Sequence, residues 1–507
     1  MNPIRDIEDL WWELHRQGVY PRAVTHDSRQ VAPGTLFLAW PGEKTDGRNY
    51  LVQALAAGAE AVVYEAGDGW VPPPELANRV PLIAVEGLRP MAGLLADRVY
   101  GAPSQSLWVA GVTGTNGKTT TSQWLAQALE ALGVACGVIG TLGCGRIGRL
   151  EDLGFTTPEA PQIHAWLRRF LDAGCQAAVM EVSSIGLVQD RVAGVRFDVA
   201  LFTNLTRDHL DYHGSMEAYA AAKRRLFERP ELRAAVIDVD DAVGEAIARE
   251  CAARGLETWA VSLRARPALP GVRPLWLAEP PREGTSGQRL MLALEDRTLP
   301  MHLPAFGTFN AGNALLVLGA LLARGVALER AAAALGRVVP PPGRMQWLGG
   351  VAEPLVVIDY AHTPDALEQV ISALVPTART RGGRLVVVFG CGGDRDRGKR
   401  PLMGTVAARA DALIVTSDNP RSEPPEAIIA DILAGIERSD LLVEPDRAKA
   451  IAQAIETAGA DDVILLAGKG HEPYQEIAGV RHPFSDQQEA EAALARWRER
   501  NLFPELP

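Results

Sequence analysis

The chain has 507 residues, and its 51 basic and 62 acidic side chains give a formal net charge of −11 at pH 7. This acidic balance, without any block of Lys or Arg, excludes a nucleic-acid partner as the expected function. An apolar content of 47% is typical of a globular protein, and at roughly 150 residues per domain the length predicts about three domains.

The first hundred residues mix short strands with helices. Strands predicted at 35–39, 61–64 and 82–85 indicate a small N-terminal α/β domain. The N-terminus, residues 1–12, carries three acidic residues and lacks the basic start of a signal peptide. We therefore expect a cytoplasmic protein. A Gly-Ala-Pro-Ser stretch at 101–104 predicts the end of this domain, which we place at residues 1–104.

The next segment, 105–340, alternates buried strands with helical stretches. Strands are predicted at 107–112, 134–139, 177–182, 199–203 and 234–237, and this order favours a parallel sheet covered on both faces. Residues 288–303 predict a small antiparallel excursion. The most apolar stretch, 314–323, is too short to span a bilayer, so no membrane insertion is expected.

A triple proline at 340–342 predicts the second domain boundary, because proline cannot continue a helix. After it, strands predicted at 355–359, 384–390, 412–417 and 463–467 indicate a C-terminal Rossmann-like α/β domain over residues 341–507. Five scattered cysteines without CxxC spacing indicate reduced thiols and not a zinc or disulfide framework. The predicted fold class is therefore α/β with three domains.

A glycine-rich loop at 111–120, Gly-Val-Thr-Gly-Thr-Asn-Gly-Lys-Thr-Thr, lies between a predicted strand and a predicted helix. That layout is typical of a phosphate cradle, in which glycines admit backbone N–H groups to phosphate oxygens. Lys118 would supply a charge for the outer phosphates and Thr119 a hydroxyl for Mg²⁺. The standard spacing puts a glycine where Val112 stands, and the alternative is an ordinary glycine-rich turn. The agreement of strand, loop and helix favours a nucleotide triphosphate site.

Polar residues follow two further strands of this domain. Glu181 ends a strand, and beside a phosphate loop it is a candidate Mg²⁺ ligand, although alone it would indicate a helix cap or surface residue. Residues 208–213 contain two His and two Asp, which indicate either a metal and phosphate edge or a loop whose members cap one another. Composition alone predicts Lys223 as a solvated helix lysine. Asn310 is predicted either to cap a helix or to contact an adenine edge.

Four charged loops follow strands of the C-terminal domain, at 359–362, 392–400, 418–421 and 468–472. The carboxyl ends of neighbouring parallel strands meet at one edge of a sheet, so these loops predict a small-ligand site. Arginines in two of them suit a bidentate grip on a carboxylate.

Together these motifs resemble the Mur ligase family, ATP-dependent amide-bond-forming enzymes of peptidoglycan precursor synthesis. The resemblance covers essentially the whole chain in the same three-domain order. It rests on the phosphate loop and on motifs at 181–184, 203–213, 223, 310–313, 343–344 and 359–362. Within the family, the chain is similar to the ligases that add diaminopimelate, on motifs at 26–29, 46–48, 156–158, 418–421 and 468–472.

The resemblance implies a ligase, expected to be monomeric, with three small-molecule substrates: ATP, UDP-MurNAc-L-Ala-D-Glu and meso-diaminopimelate. The D-Glu carboxylate would attack the γ-phosphate of ATP, and the incoming amine would displace phosphate from the acyl phosphate. Mg²⁺ and Lys118 would offset the developing charge. In the family the lysine matching Lys223 is carbamylated by carbon dioxide, which implies an anion able to hold a second Mg²⁺ near His209.

The implied site residues form five overlapping groups. The catalytic group is Lys118, Glu181, His209 and Lys223, and the metal group is Thr119, Glu181, His209 and Lys223. The implied ATP contacts are Gly114, Thr115, Asn116, Gly117, Lys118, Thr119, Thr120, Asn310, Asn313, Arg344 and Asp359. The implied UDP-MurNAc-dipeptide contacts are Ser28, Thr156, Thr157, Ser183, Gln189 and Arg191. The implied amino-acid contacts are Arg395, Asp418, Asn419, Pro420, Arg421, Gly468 and Glu472.

Diaminopimelate differs from lysine by a distal carboxylate, so its site needs a cation that a lysine site does not. Arg421 is the candidate for that cation, and Arg395 would hold the other carboxylate. Glu472 with Gly468 would receive the distal ammonium. The alternative is that Arg421 pairs with a nearby acid such as Glu423.

One position departs from the family pattern, because Ile185 stands where a His is expected. Two other functions were considered: a sibling ligase that adds L-lysine or another amine, and an inactive ligase-like scaffold or simple ATPase. An inactive scaffold would be expected to have lost Lys118, Glu181 or Lys223, and all three are present.

Overall fold

The structure, a computed structural model, describes residues 3–42, 45–76, 79–284 and 286–502. The chain forms two compact units. The first comprises residues 3–261, 268–273 and 319–327, and the second comprises 262–267, 274–318 and 328–502. Both units are mixed α/β, as the alternation of strands and helices predicts.

Helices and strands are numbered in chain order over the described residues. The helices are α1 Ile7–Arg16, α2 Leu51–Ala56, α3 Leu88–Val99, α4 Lys118–Ala131, α5 Ala160–Asp172, α6 Ser184–Val188, α7 Leu210–His213, α8 Met216–Arg224, α9 Ala242–Ala253, α10 Thr308–Ala323, α11 Leu328–Leu335, α12 Pro364–Arg381, α13 Lys399–Ala407, α14 Pro425–Leu433, α15 Arg447–Glu456 and α16 Asp486–Leu502. The strands are β1 Ala23–Thr25, β2 Thr35–Ala39, β3 Ala59–Glu65, β4 Leu82–Val85, β5 Trp108–Thr113, β6 Cys136–Gly140, β7 Gly143–Arg146, β8 Arg149–Glu151, β9 Ala177–Glu181, β10 Val199–Phe202, β11 Ala234–Asp238, β12 Glu257–Ser262, β13 Arg273–Gly284, β14 Gly287–Leu294, β15 Arg297–Leu303, β16 Gln346–Gly349, β17 Leu355–Asp359, β18 Leu385–Phe389, β19 Ala412–Val415, β20 Leu442–Val443, β21 Val463–Ala467, β22 Tyr474–Ile477 and β23 Val480–Pro483.

The first unit contains two sheets. Strands β1 to β4 form a parallel sheet in sequence order. The second sheet runs β12-β11-β10-β5-β9-β6-β7-β8 and is parallel from β12 to β6. Its carboxyl edge therefore brings together the residues that follow β10, β5, β9 and β6, which is where ligands bind in open α/β sheets.

The second unit contains an antiparallel run β13-β14-β15 and a sheet in the order β16-β17-β21-β18-β19-β20. Apart from β16, the strands of this second sheet are parallel, and Asp359 is level with Ala467 and Phe389. The four charged loops that the sequence predicts thus follow four neighbouring strands, and they lie at one edge of this sheet.

Burial follows the apolar pattern of the strands, since β5, β9, β17 and β21 are covered on both faces. All five cysteines are buried and free. Among the described residues, no helix has both the length and the apolar character needed to cross a bilayer.

The predicted strands agree with the structure at both ends for β2, β4, β17 and β21, and within about three residues elsewhere. The antiparallel prediction for 288–303 is confirmed by β14 and β15. Two hairpins, β7–β8 and β22–β23, were missed because their strands are only three or four residues long. The helical stretch predicted over 313–335 is two helices, α10 and α11, which are separated at Gly325.

Candidate active site

The phosphate loop joins the end of β5 to the start of α4, as predicted. Gly114 has a φ of +146°, and a Cβ atom there would lie 1.8 Å from Thr203 Oγ1. A side chain would therefore displace the loop that follows β10. Gly117 also has positive φ, and no side chain within the described chain caps the helix that it precedes. Backbone N–H groups in the first turn of a helix lack partners within the helix and can donate to an anion.

The loop after β10 holds the phosphate loop in place. The N–H of Thr115 donates to the carbonyl of Asn204 at 2.9 Å, and the N–H of Asn116 donates to Asn204 Oδ1 at 2.9 Å. Thr203 Oγ1 donates to the carbonyl of Asn116 at 2.6 Å. These bonds fix the cradle before any ligand arrives, which reduces the ordering cost of binding.

Glu181 lies at the mouth of the cradle and is fully buried. Thr119 Oγ1 donates to its Oε2 at 2.9 Å, while the N–H of Thr141 donates to Oε1 at 2.9 Å. Gly140 makes room for this carboxylate, because a Cβ there would lie 2.3 Å from Oε1. A threonine hydroxyl and a carboxylate are oxygen ligands of the kind that Mg²⁺ prefers, so these residues fit that ion. The pair Thr119 and Glu181 was predicted, and the structure brings it together.

Two lysines converge on one carbonyl oxygen. Lys118 Nζ donates to the carbonyls of Gly114 and Thr115 at 3.0 and 2.9 Å, and Lys223 Nζ donates to that of Gly114 at 2.7 Å. Lys223 is 1% exposed, and its Nζ lies 4.4 Å from the centroid of the Tyr219 ring. The prediction from composition that Lys223 is solvated is therefore wrong, because α8 turns this residue towards the phosphate loop. Burial and the charge of Lys118 lower the pKa of Lys223 well below its usual value.

His209 is exposed, and it contacts the same Tyr219 ring that Lys223 contacts. Its ring packs edge-on to the Tyr219 ring at 6.1 Å between centroids, and its Nε2 lies 3.5 Å from Asp208 Oδ2. Its backbone N–H donates to Asp208 Oδ1 at 2.8 Å, so the self-capping interpretation of this loop also holds. Across the described ranges, no group of three or more His, Cys, Asp and Glu side chains is placed to hold a metal ion.

A second polar network extends from Glu181 along the predicted UDP-MurNAc-dipeptide contacts. Thr157 Oγ1 donates to the carbonyl of Glu181 and accepts from the N–H of Ser183, each at 3.0 Å. Arg191 donates to the carbonyl of Thr157 at 2.7 Å and to Gln189 Oε1 at 2.6 Å. The hydrogen-bond network also includes Thr156, whose hydroxyl lies 3.0 Å from that of Thr141.

Ser28 lies apart from that network. Its hydroxyl donates to Gln53 Oε1 at 3.1 Å. Its neighbour His26 stacks on Trp40 at 5.5 Å between centroids, and burial lowers the pKa of His26, with Arg191 contributing in the same direction. His26 is therefore the residue of this motif that faces the Arg191 network.

The predicted adenine residues lie in the second unit. Asn310 is the third residue of α10, so the prediction that it caps the helix is wrong; its Nδ2 instead donates to the carbonyl of Phe306 at 2.8 Å. Asn313 Nδ2 donates to Asn310 Oδ1 at 3.1 Å. Elsewhere in this unit, the guanidinium of Arg344 lies over the Tyr360 ring at 4.8 Å, and Asp359 accepts backbone N–H groups on both oxygens.

The loops after β19 and β21 form one polar cluster. Asn419 Nδ2 donates to Glu472 Oε2 at 2.7 Å. Lys469, which is 0% exposed, donates to Asn419 Oδ1 at 3.0 Å and lies 3.4 Å from Asp418 and 3.5 Å from Glu472. Burial, followed by the charge of Asp418, raises the pKa of Glu472 above its usual value. Gly468 and Pro420 complete these two loops.

Arg421 points its guanidinium along the loop after β18. Its Nη1 donates to the carbonyl of Gly393 at 2.7 Å, and its Nε lies 3.7 Å from Glu476. Glu423 does not pair with Arg421, because Arg400 and Arg397 hold its carboxylate. The nearby acid that pairs with Arg421 is Glu476, so the ion-pair alternative holds with a different partner. Arg395 is exposed, and the described residues give it no ion pair.

Family models match three successive parts of the chain. They are described as Mur ligase family, catalytic domain, at residues 22–100; Mur ligase middle domain, at 112–321; and Mur ligase, glutamate ligase domain, at 343–470. The UDP-N-acetylmuramoyl-L-alanyl-D-glutamate–2,6-diaminopimelate ligase of Pseudomonas aeruginosa is 52% identical and covers 94% of this chain and 95% of its own length. The chain belongs to the Mur ligase family. The enzyme of the same name from Chromobacterium violaceum is 48% identical over 96% of this chain and 97% of its own length.

A solved structure of a diaminopimelate ligase of that name is similar to this Mur ligase along almost its full length. It is 36% identical, with a TM-score of 0.68, and the match covers 94% of this chain and 95% of that one. The three-domain α/β architecture predicted from the sequence is thereby confirmed, while the domain boundaries at 104 and 340 stay predictions.

Four residues of this Mur ligase were missed as site components. Thr141 binds the Glu181 carboxylate, Asn204 holds the phosphate loop, Tyr219 lies between His209 and Lys223, and Lys469 organises the Asp418 cluster. Thr141 and Lys469 both follow the carboxyl end of a strand. Ligands bind there in open α/β sheets, so this position in the sequence could have identified both residues. Ile185, at the position that departs from the family pattern, is half-buried in α6.

Proposed function

We propose that this Mur ligase joins meso-diaminopimelate to UDP-MurNAc-L-Ala-D-Glu in the cytoplasm, with ATP as co-substrate. The observation that carries the proposal is the pairing of Thr119 and Glu181 at the mouth of a preformed phosphate cradle. The names of the relatives at about 50% identity support the choice of substrates.

The phosphoryl step would use the cradle and Lys118. The N–H groups at the start of α4 would bind the β- and γ-phosphates, and Lys118 would leave the carbonyls of Gly114 and Thr115 to contact the transferred group. Mg²⁺, held by Thr119 and Glu181, would offset phosphate charge when bound. The chain needs no covalent nucleophile, since positioning and electrostatics account for most phosphoryl-transfer catalysis.

We propose further that Lys223 is carbamylated and, with His209, faces a second Mg²⁺. Within the described residues no carboxylate pairs with its buried ammonium, and Lys118 binds the same carbonyl. Such an uncompensated buried charge is costly, which favours the neutral amine. The amine nitrogen would attack carbon dioxide and lose a proton, so that an oxygen-donor anion replaces the cation.

The dipeptide substrate would lie along Thr156, Thr157, Ser183, Gln189 and Arg191, a network that ends at Glu181. Ser28 would contact the nucleotide end. Asn310 and Asn313 are proposed to contact the adenine, with Arg344 and Asp359 as further ATP contacts.

The incoming amino acid would bind at the edge of the second unit. Arg421 would exchange its bond to the carbonyl of Gly393 for the distal carboxylate, with Arg395 on the other carboxylate. Glu472, held by Asn419 and Lys469, would receive the distal ammonium beside Gly468, Asp418 and Pro420. Lysine lacks the distal carboxylate that Arg421 would bind, so the site favours diaminopimelate.

The test is phosphate release with UDP-MurNAc-L-Ala-D-Glu and a panel of amines. We expect turnover with meso-diaminopimelate and little with L-lysine, and loss of turnover in Lys118→Ala. Lys449→Ala, which removes an exposed lysine on α15, is the matched control. A wild-type preference for L-lysine would refute the substrate, and near-normal turnover in folded Lys118→Ala would refute the assignment of the cradle.

A further inference from the structure

Two side chains near the end of the β13–β14 hairpin are direct cross-strand partners. Glu283 is opposite Gln288 in the antiparallel register, so both side chains lie on the same face of the hairpin. Gln288 is 0% exposed. None of the proposed catalytic or binding steps uses either residue.

Both partners hold the turn at 305–307, which leads into α10. Glu283 Oε1 accepts the N–H of Gly307 at 3.0 Å. Gln288 Nε2 donates to the carbonyls of Ala305 and Gly307 at 3.0 and 2.8 Å. Because two carbonyls fix the amide nitrogen, the amide cannot be reversed, and Gln288 Oε1 is necessarily an acceptor.

The remaining oxygens of the pair are buried without a donor. Neither Glu283 Oε2 nor Gln288 Oε1 has a hydrogen-bond partner among the described residues. Two unpartnered acceptors on facing side chains are unfavourable, and a negative charge on one of them makes the arrangement worse. A proton on Glu283 Oε2 turns one acceptor into a donor and satisfies both atoms.

The charged groups around Glu283 offer no other compensation. On its own strand, Glu279 and Arg282 pair with each other at 2.6 Å. Arg289, on β14, is opposite Arg282 and exposed. The turn and the first turn of α10 contribute no ionisable side chain.

The turn at 305–307 sets the position of Asn310. The carbonyl of Gly307 accepts the N–H of Asn310 at 2.9 Å, and that of Phe306 accepts its Nδ2 at 2.8 Å. Asn313 continues the chain of hydrogen bonds. A change at Glu283 therefore reaches Asn310 through the backbone of the turn, and Asn313 through the side chain of Asn310.

We infer that Glu283 keeps its proton well above the usual carboxyl range, donates it to Gln288 Oε1, and acts as the positioning residue for the turn that carries Asn310. The effect on ATP rests on the proposed function, in which Asn310 contacts adenine; the protonation does not. Burial raises the pKa of Glu283 to about 7, and donation to Gln288 stabilises the neutral form further.

The test compares Glu283→Gln with Glu279→Gln. The first variant keeps the oxygen that accepts from Gly307 and replaces the hydroxyl donor with an N–H donor. The second removes a half-buried carboxylate, which pairs with Arg282, from the same strand. Stability against denaturant and KM for ATP are measured from pH 5 to 8.5, and the carboxyl of Glu283 is titrated in the wild-type protein by ¹³C NMR.

In the wild type, the folded state holds a proton on Glu283 that the unfolded chain releases near pH 4.5. Stability therefore falls as the pH rises from 4.5 to about 7. This single group shifts the folding equilibrium by up to about 300-fold over that interval. We expect the fall to disappear in Glu283→Gln and to persist in Glu279→Gln. We also expect KM for ATP to rise above pH 7 in the wild type and to stay flat in Glu283→Gln.

Parallel stability curves for wild type and Glu283→Gln would overturn the inference, as would an NMR pKa near 4.5 for Glu283. A stability difference with a KM for ATP that follows the same pH profile in both proteins would overturn the positioning role. Asn310→Ala with unchanged KM for ATP would show instead that the proposed adenine assignment has failed.

Discussion

Lys469→Met is the sharpest test of the amino-acid site. Lys469 is fully buried, with Asp418 at 3.4 Å and Glu472 at 3.5 Å, so its loss removes a buried ion-pair partner from two carboxylates. Breaking a buried ion pair from one side costs about 3–5 kcal/mol, or on the order of 100-fold or more. The site can relieve this by protonating Glu472, whose pKa is already raised by burial and by Asp418. A neutral Glu472 binds an ammonium poorly.

We therefore expect KM for meso-diaminopimelate to rise on the order of 100-fold at pH 7, with KM for ATP nearly unchanged. In the variant this KM should fall as pH rises, because Glu472 regains its charge. The free energy of unfolding should also fall as pH rises through the raised pKa, because the folded state binds a proton that the unfolded chain releases.

The assay is phosphate release at saturating ATP and UDP-MurNAc-dipeptide from pH 6 to 9, with circular dichroism to confirm folding. Lys449→Met is the control, because its exposed pair with Asp446 at 3.4 Å is worth under about 1 kcal/mol. A folded Lys469→Met enzyme with normal KM for meso-diaminopimelate at every pH would refute the reasoning.

Four further outcomes are expected. Gly114→Ala should abolish ATP binding, and with it turnover, in a folded protein, because its Cβ would lie 1.8 Å from a threonine oxygen; measurable ATP binding by calorimetry would contradict this. Arg421→Ala should lower kcat/KM for meso-diaminopimelate by about 30-fold or more and leave KM for ATP unchanged, and equal losses for both substrates would count against it. Lys223→Ala should be nearly inactive and partly rescued by a short carboxylic acid, whereas active wild-type enzyme without a carbamate signal in ¹³C-bicarbonate NMR would exclude the modification. Arg191→Ala and Ser28→Ala should each raise KM for the UDP substrate, and unchanged kinetics in both would remove these residues from that site.

Local sequence patterns were enough to predict the α/β class, the phosphate loop and the placement of charged loops after strands. Glycine spacing, strand-length apolar runs and Lys118-Thr119 are local signals, and the backbone geometry that they require follows from neighbouring residues. The strand order β17-β21-β18-β19 then placed the four C-terminal loops at one edge, as the strand-end rule predicts. Glu181 at the end of β9 was found in the same way.

The burial of polar side chains and the contacts that they make could not be predicted, because they depend on how distant elements pack. Lys223 has the sequence context of a surface helix residue, and the packing of α8 makes it 1% exposed beside Lys118. Asn310 looked like a helix cap, but α10 begins two residues earlier. The pairing of Glu423 with Arg400, and of Glu283 with Gln288, joins residues through strand register and loop geometry. These contacts depend on long-range packing, which local sequence patterns do not encode.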